Sequence, residues 1–215
     1  MVEAVEIPEG MEVLGMPLIT DEEIERRIRL SGLPVATRRS HRFSSFRHRP
    51  ALEDAWNFCY RYTKRMSDHP FLTLVGVPGT GKTHLALSIA WSWLEVGFGN
   101  VCYYQVGNLL NALRSGYDDS KRGGPEDTEV IRNYVSRCPL AVFDDLGAEN
   151  VTAWAWTILD EIIDQRYINR LHTVVTTNEK PDRISERISD RLSEGTVLVL
   201  KAGSYRRRKD EAGTP

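Results

Sequence analysis

A glycine-rich stretch at residues 76–83 carries the residue types that bind phosphate. Its letters, Gly-Val-Pro-Gly-Thr-Gly-Lys-Thr, fit the phosphate-loop pattern of Gly, four residues and Gly-Lys-Thr. Glycines let the backbone curl, so that successive N–H groups point at phosphate oxygens. Lys82 is predicted to reach the β- and γ-phosphates, and the Thr83 hydroxyl is predicted to hold Mg²⁺. A helix beginning near His84 would place its positive dipole end beneath the phosphates.

Two adjacent acids supply the second part of a phosphate-transfer site. Asp144 and Asp145 end the apolar run at residues 140–143, at the carboxyl end of a predicted strand, where ligands bind in open α/β sheets. Asp144 is predicted to hold Mg²⁺, and Asp145 to orient or deprotonate the attacking water. Asn178 follows another predicted strand, where its amide can hydrogen-bond a γ-phosphate or that water. The alternatives are acids that begin a solvated loop and an Asn that only makes a turn.

Strands and helices are predicted to alternate around these residues. An apolar strand at 71–75 precedes the loop and a helix at 84–94 follows it, which is the context that a phosphate loop requires. Further strands are predicted at 101–105, 140–145, 173–177 and 196–200, and helices at 21–30, 50–62, 106–113, 126–137, 152–169 and 186–192. The pattern predicts a three-layer α/β fold with a five-stranded parallel sheet.

Composition limits the class of protein. The 215 residues are 41% hydrophobic and 27% charged, which allows one α/β domain with an extension or two small domains. The net charge of −2 means that any DNA contact must come from a local patch. The three cysteines lie far apart, which excludes a sequence-evident zinc module and favours reduced thiols in a cytoplasmic protein. Neither a signal peptide nor an apolar run of membrane-spanning length is visible.

Two basic stretches permit more than one interpretation. Residues 38–49 hold five arginines, two histidines, two phenylalanines and no acid. Arginine with aromatic residues suits single-stranded nucleic acid. The alternative is an arm that packs on the core and leaves its arginines solvated. The tail at 204–209 is also basic, and the sequence leaves a disordered end and a phosphate contact open.

With these residues assembled, the chain resembles an AAA+ ATPase of the DnaC/DnaI helicase-loader and IstB-like group. The resemblance rests on the phosphate loop with the following His-Leu-Ala, on Phe-Asp-Asp-Leu-Gly-Ala-Glu from Phe143, on Thr-Thr-Asn ending at Asn178, on Asp-Arg-Leu from Asp190, and on Ser-Tyr-Arg from Ser204. It covers residues 32–208, between a weakly structured N-terminal arm at 1–31 and a tail at 209–215. It also implies that no separate lid domain follows the fifth strand.

The resemblance implies roles for individual residues. Asn178 becomes the sensor of the γ-phosphate, and Arg191 the arginine finger that completes a neighbouring subunit's site. Arg206 falls where the family has a further nucleotide-sensing arginine. Residues 106–137 fall where these ATPases carry a helical insert that faces single-stranded DNA. The nucleotide-binding set implied by the loop is Gly76, Pro78, Gly79, Thr80, Gly81, Lys82, Thr83 and His84.

The function implied is Mg²⁺-dependent ATP hydrolysis in DNA replication by a cytoplasmic homo-oligomer. Its expected partners are single-stranded DNA and a replicative helicase, and in the IstB-type alternative a transposase takes the helicase's place. Two further alternatives are a small-molecule kinase and a nucleotide-gated module that never hydrolyses. Most AAA+ proteins have Asp-Glu where this chain has Asp144-Asp145, which keeps the last alternative open.

Overall fold

The computed structural model describes residues 19–115, 125–147, 153–178 and 184–205. The strands in these ranges are β1 (Phe71–Val75), β2 (Val101–Gln105), β3 (Leu140–Leu146), β4 (His172–Thr177) and β5 (Thr196–Val199). The helices are α1 (Asp21–Ser31), α2 (Glu53–Thr63), α3 (Lys82–Val96), α4 (Val106–Ser115), α5 (Pro125–Arg137), α6 (Ala153–Ile168) and α7 (Glu186–Glu194). A 3₁₀ turn at Pro50–Leu52 precedes α2, which therefore begins three residues after its predicted start.

The strands form one parallel sheet in the order β2-β3-β4-β1-β5. This confirms the predicted fold class. β1 lies between β4 and β5, with Val75 opposite both Thr177 and Val199. β3 lies on the other side of β4. Because parallel strands end at a common edge, the loop after β1, the acids of β3 and the residue after β4 meet there.

Helices cover both faces of the sheet and make the three layers. Since side chains alternate along a strand, Leu72 and Leu74 of β1 pack with α1, α2 and α3, whereas Phe71 packs with α4 to α7. Trp91 and Trp93 of α3 are 0% and 1% exposed, so this helix is buried on most of its surface. Within the described ranges, no helix is both long and apolar enough to cross a membrane.

Helix α1 packs on the sheet, although it lies inside the predicted N-terminal arm. The Thr20 hydroxyl caps its start by accepting a hydrogen bond from Glu23 N–H at 3.2 Å, and Gly32, at φ 70°, ends it. Ile28 is 5% exposed within the α1–α3 cluster. A Cβ on Gly32 would lie 2.6 Å from the carbonyl oxygen of Tyr103 in β2. The packed unit thus includes a helix that the predicted boundary after residue 31 separates from it.

The basic segment at residues 38–49 also packs on this side of the domain. Phe43 and Phe46 are 7% and 5% exposed in the core. The Arg42 guanidinium pairs with Glu95 of α3 at 2.6 Å, and Trp56 Nε1 donates to the Phe43 carbonyl at 3.2 Å. Of the two interpretations, the packed arm describes the segment, because both of its phenylalanine rings are buried in the core.

Candidate nucleotide-binding site

The phosphate loop joins β1 to α3 at the carboxyl edge of the sheet. Helix α3 begins at Lys82, two residues before the predicted start. Gly79 and Gly81 have φ of 83° and 101°, in the left-handed region that favours glycine. Gly76 is needed for a different reason, since a Cβ there would lie 2.9 Å from the Leu200 carbonyl oxygen. The loop backbone is therefore curled, with the helix N-terminus directly behind it.

Lys82 is held inside this loop. Its side chain is 6% exposed, and its ammonium donates to the Gly76 carbonyl at 2.6 Å and to the Val77 carbonyl at 3.1 Å. It also donates to Asn178 Oδ1 at 2.5 Å. The structure therefore brings together the predicted phosphate-binding lysine and the predicted sensor, which lie 96 residues apart in the sequence.

Asp144 is buried and receives three hydroxyl hydrogen bonds. Its carboxylate is 2% exposed. Oδ1 accepts from Thr83 at 3.0 Å and from Thr176 at 2.6 Å, and Oδ2 accepts from Tyr103 at 2.8 Å. Mg²⁺ prefers oxygen ligands and is usually held by one or two protein groups together with substrate phosphates. The Thr83 hydroxyl and the Asp144 carboxylate, already in contact beside the loop, fit that requirement.

Asp145 is exposed whereas Asp144 is buried, and the strand is irregular at this position. The register of β3 against β4 shifts between Phe143 and Leu146, and Asp145 has φ 64°. Such a conformation is uncommon for residues other than glycine and clusters at functional sites. Its N–H donates to Thr176 Oγ1 at 2.9 Å, and Asn178 Nδ2 donates to its Oδ1 at 2.9 Å. The exposed carboxylate of Asp145 therefore connects through Asn178 to Lys82.

A cavity of about 660 Å³ opens above these groups. Of the predicted nucleotide-binding set, Gly79, Gly81, Lys82, Thr83 and His84 line it. Gly76, Pro78 and Thr80 are not among its lining residues in the described part of the chain. Thr80 is fully buried, and its hydroxyl donates to the Val77 carbonyl at 3.0 Å, so it shapes the loop rather than facing the cavity.

The far wall of the cavity comes from the basic segment, which the sequence did not assign to the site. Its lining residues there are Ser40, His41, Ser45, Phe46 and Arg47, together with Tyr205. The His84 ring links the two walls, because it hydrogen-bonds the Arg42 carbonyl at 2.9 Å and lies 4.8 Å from the His41 ring. Burial lowers the pKa of His84, which favours the neutral ring. The sequence feature that could have indicated this wall is the high density of arginine and aromatic residues at 38–49.

Two further residues, which had no predicted role in the site, are hydrogen-bonded to Asp144: Tyr103 and Thr176. Tyrosine and threonine are ordinary residues of buried strands. Thr176 belongs to the Thr-Thr-Asn motif, but nothing local indicated that either residue contacts Asp144 before the sheet order was known. Gln105, at the end of β2 opposite Asp144, also lines the cavity.

Arg191 lies elsewhere, on α7. Its guanidinium contacts Asp164 at 3.3 Å and Glu194 at 3.3 Å and sits 4.2 Å from the Tyr167 ring centre. The hydrogen bond to Asp164 raises the pKa of Arg191. Arg191 is not among the described residues that line the cavity. The structure thus does not bring the predicted finger to this chain's own loop, and the predicted Arg206 lies outside the described residues.

The loop, the paired acids and the strand order agree with the outcome of comparison with known proteins. The family described as IstB-like ATP binding protein matches residues 21–212. The chain belongs to this family. The resemblance to the DnaC/DnaI and IstB-like group of AAA+ proteins is thereby confirmed, and the family match begins at α1.

The IstB-like chain is similar in sequence and fold to named replication proteins. It is 30% identical over 139 residues to the replicative helicase loader DnaC of Escherichia coli strain K12, an alignment that covers 62% of this chain and 55% of DnaC. The chain therefore spans about half the length of that relative. A crystal structure of the DnaC helicase loader shares the fold at TM-score 0.66 and 24% identity, over 76% of this chain and 98% of the other.

A second solved structure is the replication initiator DnaA bound to AMPPCP and single-stranded DNA. It matches at TM-score 0.67 and 16% identity, over 77% of this chain and 51% of the other. At that identity the likeness concerns the fold alone.

Proposed function

We propose that this IstB-like chain hydrolyses ATP in a Mg²⁺-dependent reaction and acts in DNA replication as a replicative helicase loader. One observation carries the proposal for ATP. A single hydrogen-bonded chain links Lys82, Asn178 and Asp145 beside the Thr83–Asp144 pair. This arrangement supports the proposal because one site then contains the groups proposed to bind phosphate, hold a metal and orient water.

The proposed roles follow from the position of each group. Lys82 exchanges its contacts to loop carbonyls and Asn178 for contacts to the β- and γ-phosphates. Thr83 and Asp144 hold Mg²⁺, which supplies neutralisation of phosphate charge when it is bound. Asp145 orients or deprotonates the attacking water, because its carboxylate reaches out of the strand while Asp144 is buried. Asn178 lies within hydrogen-bond distance of both Lys82 and Asp145 and positions the water relative to the γ-phosphate.

The assembly in the proposal is a homo-oligomer on single-stranded DNA. Arg191 acts in trans, which is compatible with its place outside the cavity of its own chain. The DnaC relative supports helicase as the partner, and the DnaA structure supports a fold that tolerates both nucleotide and single-stranded DNA. The family description supports an IstB-type transposition helper as the second candidate. That role differs in its partner and not in its chemistry.

The test is ATP hydrolysis by the purified chain with Mg²⁺, with and without single-stranded DNA, followed by affinity capture in the native host. The proposal expects hydrolysis that responds to DNA, and capture of a replicative helicase. Capture of a transposase instead selects the IstB-type role. Tight nucleotide binding with no hydrolysis under either condition contradicts the ATPase proposal and favours the nucleotide-gated module.

A further inference from the structure

The Asp144 carboxylate is held from both neighbouring strands of the sheet. Thr176, on β4, donates to Oδ1 at 2.6 Å, and Tyr103, on β2, donates to Oδ2 at 2.8 Å. The third donor, Thr83 at 3.0 Å, comes from the start of α3. Thr83 is itself a proposed metal ligand, so the two strands supply the contacts that remain when its oxygen turns to the metal.

Tyr103 makes this contact from within the core. It is 6% exposed and belongs to the cluster of α1, α2 and α3. A buried hydroxyl costs free energy unless it has a hydrogen-bond partner. A phenol carries its proton at neutral pH, so Tyr103 acts as the donor in its contact with Oδ2. A phenylalanine would fill nearly the same volume at this position without that bond.

The backbone at Tyr103 is fixed by its neighbours. Tyr103 pairs with Val142 of β3 in the parallel register. Its carbonyl oxygen is the atom that a Cβ on Gly32, at the end of α1, would approach to 2.6 Å. The phenol is therefore carried on a strand that is paired on one side and covered by α1.

We propose that Tyr103 is a positioning residue that fixes the Asp144 carboxylate for the metal ion. This inference rests on the proposed Mg²⁺-dependent nucleotide site. With Oδ2 bound by Tyr103, Oδ1 faces Thr83 and the carboxylate cannot turn about its last bond without losing a hydrogen bond. Partners of this kind orient metal ligands, and their loss typically costs about 10- to 100-fold in metal affinity.

The experiment measures fluorescent ATP-analogue binding during Mg²⁺ titration, and again in EDTA, for the wild type, Tyr103→Phe and Tyr104→Phe. Tyr104 is the matched control, because it is the next residue of β2 and its ring packs on the opposite face of the sheet. We expect Tyr103→Phe to need about tenfold more Mg²⁺ for half of the metal-dependent gain in affinity. Its affinity in EDTA and its melting temperature should stay near the control values.

Thr176→Val gives a second, independent variant. It removes the donor to Oδ1 and also the acceptor for the Asp145 N–H at 2.9 Å. We therefore expect a raised Mg²⁺ requirement together with slower turnover at saturating metal, whereas Tyr103→Phe should recover its turnover at high Mg²⁺. This split between metal requirement and maximal rate separates the two contacts.

Three outcomes overturn the inference. A Mg²⁺ requirement of Tyr103→Phe equal to that of Tyr104→Phe reduces Tyr103 to core packing. Equal loss of affinity with and without metal places the effect in the fold and not in the metal site. A wild-type chain whose nucleotide binding ignores Mg²⁺ overturns the proposed function as well, and that result is distinguishable because it appears before any variant is compared.

Discussion

The carboxyl edge of the sheet and helix α7 both carry residues with predicted roles in hydrolysis, but they are built differently. At the sheet edge, Asn178 contacts Lys82 at 2.5 Å and Asp145 at 2.9 Å, and so links the two. On α7, Arg191 contacts Asp164 and lies against Tyr167, with none of the loop residues among its partners in the described structure. The first group is complete within one chain. The contacts of Arg191 either stabilise α7 or are exchanged for contacts to a neighbouring subunit.

This difference shows what a short motif establishes. The glycine-rich loop constrains its own geometry, since its backbone and the following helix start form the site. Asp-Arg-Leu constrains only a helix face, and the same arginine serves packing or catalysis according to what lies opposite. Asp164 is 7% exposed and is paired with both Arg187 and Arg191. These ion pairs give the α7 arginines a possible structural role, which the variants at Arg187 and Arg191 test.

The largest effect should come from Lys82→Ala. Removing the ammonium leaves phosphate charge uncompensated, so ATP hydrolysis should be abolished and ATP binding strongly weakened. The fold should survive because the loop is mainly backbone. A steady-state ATPase assay with circular dichroism checks both statements, and Lys64→Ala, at an exposed lysine directly after α2, is the control. A folded Lys82→Ala chain with unchanged hydrolysis would contradict the phosphate-loop assignment.

The next effect, Arg191→Ala, tests the α7 side of the comparison. A finger supplied in trans is worth about 10³- to 10⁵-fold in rate, so this variant should bind ATP normally and hydrolyse it about a thousandfold more slowly. Mixing it with Lys82→Ala chains should restore part of the activity, since one chain then offers the pocket and the other the arginine. An ATPase assay on mixtures at concentrations where the chain self-associates measures the rescue.

Arg187→Ala is the matched control for Arg191→Ala, because Arg187 pairs with the same Asp164. If both variants lower the melting temperature by similar amounts, and mixing restores nothing, then Arg191 stabilises α7 and is not a finger.

The paired acids should give the third effect. Asp145→Ala removes the group that positions water, and general base catalysis contributes about 10²- to 10⁴-fold. This variant should keep Mg²⁺-dependent ATP binding while turnover falls about a hundredfold. Asp144→Ala should lose the metal-dependent part of binding instead. Nucleotide affinity with and without Mg²⁺, measured beside the hydrolysis rate, separates the two acids. Wild-type rates in both variants would show that β3 is not the metal-bearing strand.

The smallest effect should be on the folding stability of the chain, through His172. This residue begins β4, at the end of the strand remote from the site. Burial, with Arg65 and Arg166 nearby, lowers the pKa of His172 from 6.5 to about 4. The unfolded chain therefore binds a proton more readily than the folded one, and stability should fall as pH decreases from about 6.5 towards 4. The His172 ring lies 5.4 Å from Tyr62 and 4.8 Å from Trp93, so phenylalanine preserves the packing.

The measurement is the melting temperature of wild type and His172→Phe across that pH range. The variant should have a flatter profile, while nucleotide affinity at neutral pH stays unchanged in both. An equally steep profile in His172→Phe would assign the pH dependence to other groups.

The amino-acid sequence by itself determined the strands of the sheet, the loop and the two acids near the end of β3. Buried parallel strands are continuous apolar runs, and glycine spacing dictates how the loop can bend, so both are local properties. Five strands and the helices between them were predicted to within a few residues of their observed ends. The family resemblance was likewise carried by local motifs, since each is a short run with its own strand or helix around it.

Only the tertiary structure decided which distant groups meet. The strand order places Tyr103 and Thr176 on either side of Asp144. No local pattern indicates these two contacts, although Thr176 belongs to the Thr-Thr-Asn motif, because both are common strand residues. It also folded residues 38–49 over the loop as a cavity wall and docked α1 on β2. The left-handed backbone of Asp145 is tolerated better by Asp than by most residues, which gives a physical reason for Asp at this position. Contacts between distant segments depend on the packing of the whole sheet, and that is why motif spacing does not contain them.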